Sequence, residues 1–272
     1  MSFQFQESMV DDFWSLGYTI FRGIVPGTLL RDLRSASDQA REVALAVNGP
    51  QAHRLQPIKK YADRVDQKPF QDYCELPALA DGVKRLLGDD FTHGHRHIMG
   101  ILVEPKQHTW CQGWHRDGMV ELTLEGQHDP DVIACQQERW IDPGWHTQIN
   151  CAVYRDATLW YVPGSHRRMT DLAGEVQTPL NLLHKIPPET SEAEFERGCL
   201  EHARDFSGAE QILLEPGDFM IYRSNGWHCA HIVKYQPRAT IHDVACHHGV
   251  EPEYKYHWPD VRQKARGKYG TP

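Results

Sequence analysis

Hydrophobic residues recur along this chain with two different periods. Over roughly the first ninety residues the spacing is mainly helical. Residues 7–47 read as helix interrupted once: Phe13, Trp14 and Leu16 lead into Gly17-Tyr18-Thr19-Ile20-Phe21, a short strand. Leu29, Leu30, Leu33, Ala40, Val43 and Ala44 then return to a repeat of three to four. Leu76 to Leu87 predicts a further helix, closed by Gly88. From residue 91 the runs shorten and are punctuated by Gly, Pro, Asn and Asp. Strands are predicted at Ile98–Val103, Met119–Leu124, Gln148–Tyr154, Thr158–Val162, Gln211–Leu214, Phe219–Tyr222, His231–Val233 and Ala239–Val244. Many short, evenly spaced strands favour a sandwich or barrel. The polar stretches 125–147 and 167–209 read as insertions over one end of it. The expectation is one domain over 1–272, with a helical part to residue 90, a β core over 91–250 and a tail over 251–272.

Composition narrows the function without choosing it. The 272 residues are 40% hydrophobic and 24% charged, ordinary for a soluble globular protein. Apolar runs such as Val43-Ala44-Leu45-Ala46-Val47 are too short to span a bilayer. The N-terminus shows no secretory signal. Seven scattered cysteines without a Cys-x-x-Cys argue against a disulfide framework and for a reducing cytoplasm. A net charge of −8 argues against nucleic-acid binding, and a small molecule is the expected partner. Histidine, at 17, is the outlier.

Candidate chemistry starts at Trp114-His115-Arg116-Asp117-Gly118. In an extended strand, residues i and i+2 share a face, so His115 and Asp117 converge on one point. One more histidine would complete the two-His-one-carboxylate set of a non-haem Fe(II) site. Pro216-Gly217-Asp218 opens a segment that offers His228 and His231, which face opposite ways on a strand. Downstream, Arg238 and Thr240 share a face and suit the far carboxylate of a 2-oxo acid, which arginine grips through paired hydrogen bonds. In a plain hairpin Arg238 would lie too far along the strand. The assignment requires the strands carrying His228 and Arg238 to belong to different sheets.

An ordered set of motifs now falls into place: Phe13-Trp14-x-x-Gly17-Tyr18, Trp114-His115-x-Asp117, Leu159-Trp160-Tyr161-Val162-Pro163-Gly164-Ser165-His166, Pro216-Gly217-Asp218, Trp227-His228 and Arg238-x-Thr240. Over about residues 10–245 the chain resembles the phytanoyl-CoA dioxygenase family of Fe(II)- and 2-oxoglutarate-dependent oxygenases. The interval from His228 to Arg238 is one residue shorter than is usual there.

The resemblance implies a mainly β (α+β) fold: a double-stranded β-helix, jelly-roll or cupin-like, with N-terminal helices packed on one sheet. It implies Fe(II) held by His115, Asp117 and His228, and 2-oxoglutarate anchored by Arg238 and Thr240. O2 would be the oxidant and ascorbate an optional stimulant. Gln148 and Asn150 form a polar strand face expected to look into this pocket, with Asn150 near the C1 carboxylate. In His93-Gly94-His95-Arg96-His97 three histidines share a strand face, and His97 is expected to line the cofactor pocket. Lys59, Lys60 and His166 are weaker candidate contacts. The implied reaction is hydroxylation of an unactivated C–H bond with release of succinate and CO2. A halogenating relative would carry a small residue in place of Asp117. Desaturation or ring closure uses the same site, and a cupin-like metal protein without oxidative turnover is the alternative class. Arg116, His242, Trp140 and Trp145 point to a polar, anionic small substrate.

Overall fold

The computed structural model describes residues 3–117, 126, 128–173, 175, 191–249 and 259–270. Two antiparallel sheets face each other. The larger has six strands, in the order β1 (Tyr18–Phe21), β9 (Phe219–Arg223), β6 (Thr147–Ala152), β11 (Ala239–Val244), β4 (Gly100–Val103) and β2 (Arg54–Leu55). The smaller has four, in the order β5 (Trp110–His115), β10 (His228–Ile232), β7 (Leu159–Tyr161) and β8 (Glu210–Gln211). From β4 onward the chain passes mostly back and forth between the sheets, as in a jelly roll. A third, two-stranded ribbon pairs β12 (Cys246–His247) with β3 (Phe91–Thr92).

The larger sheet is buried on both faces. Helices α1 (Ser8–Leu16), α2 (Gly27–Asn48), α3 (Lys68–Cys74) and α4 (Pro77–Leu87) lie in the N-terminal third. Phe13, Leu33, Ala40, Val43, Phe70, Leu79 and Val83 from these helices share one core with Ile101, Ile149, Phe219, Ile221 and Ile241 from the sheet. Side chains alternate along a strand, so the residues between these apolar positions face the smaller sheet. On β6 they are Gln148 and Asn150. On β9 they are Met220 and Tyr222, and on β11 they are Thr240 and His242. The N-terminal part is therefore not wholly helical, because β1 and β2 form the two edges of the larger sheet.

At Gly17 the chain turns from α1 into β1 with φ of 92°, and a Cβ there would lie 2.4 Å from the Tyr161 hydroxyl. Both the left-handed backbone and the close approach require glycine.

The predicted insertions contain helices. Residues 125–147 include α5 (Pro130–Trp140) and α6 (Pro143–His146). Residues 167–209 include α7 (Glu192–Arg204), which opens on a reciprocal Ser191–Glu194 capping box. α7 covers the outer face of the smaller sheet, where Ala203 packs in a cluster with Trp114, Trp160, Phe206 and Trp227. The predicted strand Met119–Leu124 lies outside the described residues. The C-terminal tail includes α8 (Pro259–Tyr269), which docks on α5: Lys268 and Tyr269 each donate to Asp129 at 2.8 Å. Asp129 also caps α5, accepting from Asp131 N.

The other end of α5 is tied to the sandwich by a buried cation. Arg223, 1% exposed at the end of β9, donates to the Trp140 carbonyl at 2.7 Å and the Ile141 carbonyl at 3.2 Å. Asn225 adds a bond to Trp140 O at 3.1 Å. The final carbonyls of a helix lack partners within it and carry negative dipole charge, so a guanidinium answers both needs. Burial brings the Arg223 pKa down to about 10, which leaves it charged at neutral pH. Arg223→Met is expected to destabilise the protein by about 2–4 kcal/mol, since it removes two charge-assisted hydrogen bonds and leaves the Trp140 carbonyl with Asn225 alone. Denaturant unfolding measures this, and an unchanged midpoint would show that α5 holds without the arginine.

Candidate metal centre

Among the described residues, one set of side chains is placed to ligate a metal: the ligating atoms of His115, Asp117 and His228 all lie within 4.8 Å of one another. β5 and β10 are paired, with His228 opposite His115. A bulge then shifts the register, so that Ala230 faces Gln112. Three residues of β5 thus span two of β10, which lets both Gln112 and His115 turn inward. Asp117 lies on a turn just beyond β5, not within it. Its backbone N–H donates to Ser224 O at 2.9 Å, so the carboxylate still reaches the histidines. Asp117 Oδ1 is 3.8 Å from His115 Nε2 and 4.0 Å from His228 Nε2.

Both imidazoles are oriented the same way. His115 Nδ1 lies 2.8 Å from Gly113 O, and His228 Nδ1 lies 2.9 Å from Gly226 O. A ring nitrogen facing a carbonyl carries the proton, so each Nε2 offers a lone pair inward. Burial, then the neighbouring His228, pushes the His115 pKa down to about 4 and keeps the ring neutral. Two imidazoles with Nε2 turned inward and one carboxylate, with backbone partners fixing the tautomers, suit Fe(II) with open coordination positions. His231 is buried but does not line this cavity, which agrees with the opposite facing expected for the two histidines.

The triad opens on a cavity of about 440 Å³ between the two sheets. Its wall includes Arg238, Asn150, Gln148, His242, Tyr222 and Arg54. β10 and β11 belong to different sheets, so Arg238 turns back into the space shared with His228. Arg238 Nε donates to Asp156 Oδ2 at 3.0 Å, and the Thr240 hydroxyl donates to the same oxygen. Burial raises the Asp156 pKa, but Arg238, Thr240 and Thr158 outweigh it and the net shift is downward. Asp156 therefore stays ionised and fixes one edge of the guanidinium. Nearer the edge of the larger sheet, Arg54 adds a second guanidinium and His53 stacks on Trp110 at 4.1 Å.

Other expected residues are placed differently. Gln148 and Asn150 do face the cavity, but Gln148 Nε2 donates to Asp117 Oδ2, and Asn150 Oδ1 lies 2.8 Å from His242 Nδ1. Residues 93–97 form no strand, so their histidines share no face. The cause is Asp243, whose carboxylate accepts from the Gly94 and His95 N–H groups at 2.7 and 3.0 Å and holds a turn there. His97 is exposed and does not line the cavity. Lys59 and Lys60 are also exposed and outside it. His166 is buried, and its Nε2 lies 3.2 Å from the Trp14 carbonyl, which ties the end of α1 to the rim. Arg116 is buried against the rings of Trp140 and Trp227 instead of facing the cavity. Of the four residues that suggested an anionic substrate, His242 lines the cavity.

The sequence reading missed Gln112, Tyr222, Asp156 and Arg54. The signal for Tyr222 was its parity on β9: it alternates with the helix-facing Phe219 and Ile221. For Asp156 it was the turn Asp156-Ala157-Thr158, in which Oδ1 accepts from Thr158 N at 2.9 Å.

No protein-family model matches this chain, and no curated protein does. Solved structures do. EctD from S. alaskensis with 2-oxoglutarate and 5-hydroxyectoine has a TM-score of 0.55 and 19% identity over 89% of this chain and 76% of that one. The epimerase SnoN in complex with Fe3+, alpha ketoglutarate and nogalamycin RO has a TM-score of 0.54 and 12% identity, over 89% and 83%. The non-heme alpha ketoglutarate dependent carbocyclase SnoK from nogalamycin biosynthesis has a TM-score of 0.53 and 14% identity, over 89% and 84%. At these identities the likeness is one of fold. The chain has the jelly-roll fold found in non-haem iron, 2-oxoglutarate-dependent enzymes, and its own residues place a two-His-one-carboxylate set inside it.

The buried histidines set a pH limit on the fold. Burial, then Arg54, brings His242 down to about 3, and burial, then Arg223, brings His166 down to about 4. Their folded pKa values lie below the unfolded value of about 6.5. Between those limits the unfolded chain binds more protons than the folded one, so stability falls as pH falls. Calorimetry of the metal-free protein is expected to show a falling thermal midpoint from about pH 6.5 toward 4. A flat midpoint over that range would contradict these environments.

Proposed function

We propose that this chain is an Fe(II)- and 2-oxoglutarate-dependent oxygenase of the phytanoyl-CoA dioxygenase type, acting as one catalytic unit on a small polar molecule. The observation that carries the reading is a pair. Three metal-competent side chains converge at one point, and a buried arginine from the opposite sheet faces the same cavity. A protein that only stored or sensed a metal would need the first and not the second. His115, Asp117 and His228 would hold iron, and Arg238 would take the far carboxylate of 2-oxoglutarate. Thr240 supports Arg238 through their shared partner Asp156. The bound metal and co-substrate would together supply O2 activation, with succinate and CO2 as products.

The chain's own residues do the remaining work. The carbonyls of Gly113 and Gly226 keep the imidazole lone pairs aimed inward. The two sheets keep bulk water from the reacting position, and the polar wall orients the substrate. Asp117 supports hydroxylation over halogenation, because its carboxylate fills the place a halide would need. EctD was solved with 5-hydroxyectoine, a hydroxylated molecule, while SnoN and SnoK are an epimerase and a carbocyclase. Hydroxylation is therefore the first outcome to test, and ring closure or epimerisation the second. A cavity of about 440 Å³, shared with the co-substrate, suits a small molecule better than a long acyl chain. All seven cysteines are free thiols, which supports the reducing cytoplasm as the working compartment.

Anaerobic protein given Fe(II) and then 2-oxoglutarate is expected to develop a visible charge-transfer band. Asp117→Ala should abolish the band, and Arg238→Ala should raise the 2-oxoglutarate concentration needed for it by at least tenfold. No band from the unmodified protein, or an equal band from both variants, would count against the assignment.

A further inference from the structure

Gln148 and Tyr222 lie directly opposite each other on the paired strands β6 and β9. Both are inside the sandwich, at 7% and 2% exposed. Gln148 Nε2 donates to Asp117 Oδ2, and Gln148 Oε1 accepts the hydroxyl of Tyr222. We infer that Tyr222 and Gln148 form a positioning relay that sorts the two oxygens of Asp117, holding one for itself and leaving the other for the metal.

A primary amide has two ends of nearly equal shape and opposite polarity. Its NH2 end attracts a carboxylate and its oxygen end repels one. The carboxylate of Asp117 therefore already disfavours turning Gln148 over. The Tyr222 hydroxyl adds to this preference, because it donates into Oε1 and holds the amide in place with Nε2 toward Asp117. The relay is needed because Asp117 lies past the end of β5, where the strand ladder no longer fixes its side chain. Its backbone is held at Ser224 O, but that bond leaves the carboxylate free to rotate.

The result is a division of labour between two atoms. Oδ2 is taken by Gln148, while Oδ1 faces His115 Nε2 and His228 Nε2. A carboxylate held this way offers a metal one oxygen. Two-oxygen binding would occupy a further coordination position, one that 2-oxoglutarate or O2 would otherwise use. Tyr222 also sets its ring edge-on to His228, with centroids 5.8 Å apart, so one residue supports two of the three ligands.

The inference rests on the metal reading, and the test separates the two. Metal-free protein is titrated with Co(II), followed by its visible absorption. Tyr222→Phe removes only the hydroxyl and is expected to weaken Co(II) binding on the order of 10- to 100-fold, as loss of an outer-shell partner does. Gln148→Leu gives an independent variant with a similar loss. In the double variant the losses should not add, because either change already breaks the relay. Circular dichroism establishes that each variant is folded. Folded Tyr222→Phe or Gln148→Leu protein with unchanged Co(II) affinity would overturn the relay, and so would fully additive losses. Failure of the unmodified protein to bind Co(II) would overturn the metal reading and the relay with it.

Discussion

The structure depends on a larger sheet that is buried on both faces, with opposite demands on each. Toward the helices its strands must present apolar side chains that pack without gaps. Toward the smaller sheet they combine apolar packing, by Ala152 and Met220, with polar groups, each of which needs a partner once it leaves water. The second demand is met in pairs and chains: Asn150 with His242, Gln148 with Asp117 and Tyr222, and Arg238 and Thr240 with Asp156. An apolar inner face would have made a more ordinary sandwich. The paired polar face makes a cavity whose groups are already ordered.

The candidate metal centre sits where this regularity ends. A bulge in β5 turns both Gln112 and His115 inward, and Asp117 follows on a turn instead of in the strand. Each departure frees a side chain from the ladder, and a local contact then fixes it again. Carbonyls two residues back set both imidazoles, and the amide of Gln148 sets the carboxylate. Around the rim, Arg223 ties α5 to the end of β9, and the next residue, Ser224, holds the backbone of Asp117. The insertion and the ligand turn thus share two adjacent residues.

Much of this was legible in the sequence, for a physical reason. Polar and apolar residues alternate over Ala239–His242 and Gln148–Cys151, so these segments showed both their strand character and their polar face. His115, Asp117, His228 and Arg238 could be read because each recurs in an ordered motif at short range. What could not be read depends on long-range partners. Asp156 looks like a turn residue until the fold brings it to Arg238, and Tyr222 looks like core until it meets Gln148. His97 was misplaced because Asp243, about 150 residues away, holds residues 93–97 in a turn. The helices of the polar stretches were a different kind of miss. Asp129-Pro130 and the Ser191–Glu194 box are local start signals, and their polar surroundings masked them.

The most direct test of the central claim is anomalous diffraction at the iron edge from crystals prepared anaerobically with Fe(II). One strong peak is expected within bonding distance of His115 Nε2, His228 Nε2 and a single oxygen of Asp117. A peak held by other side chains, or none at these three residues, would contradict that claim.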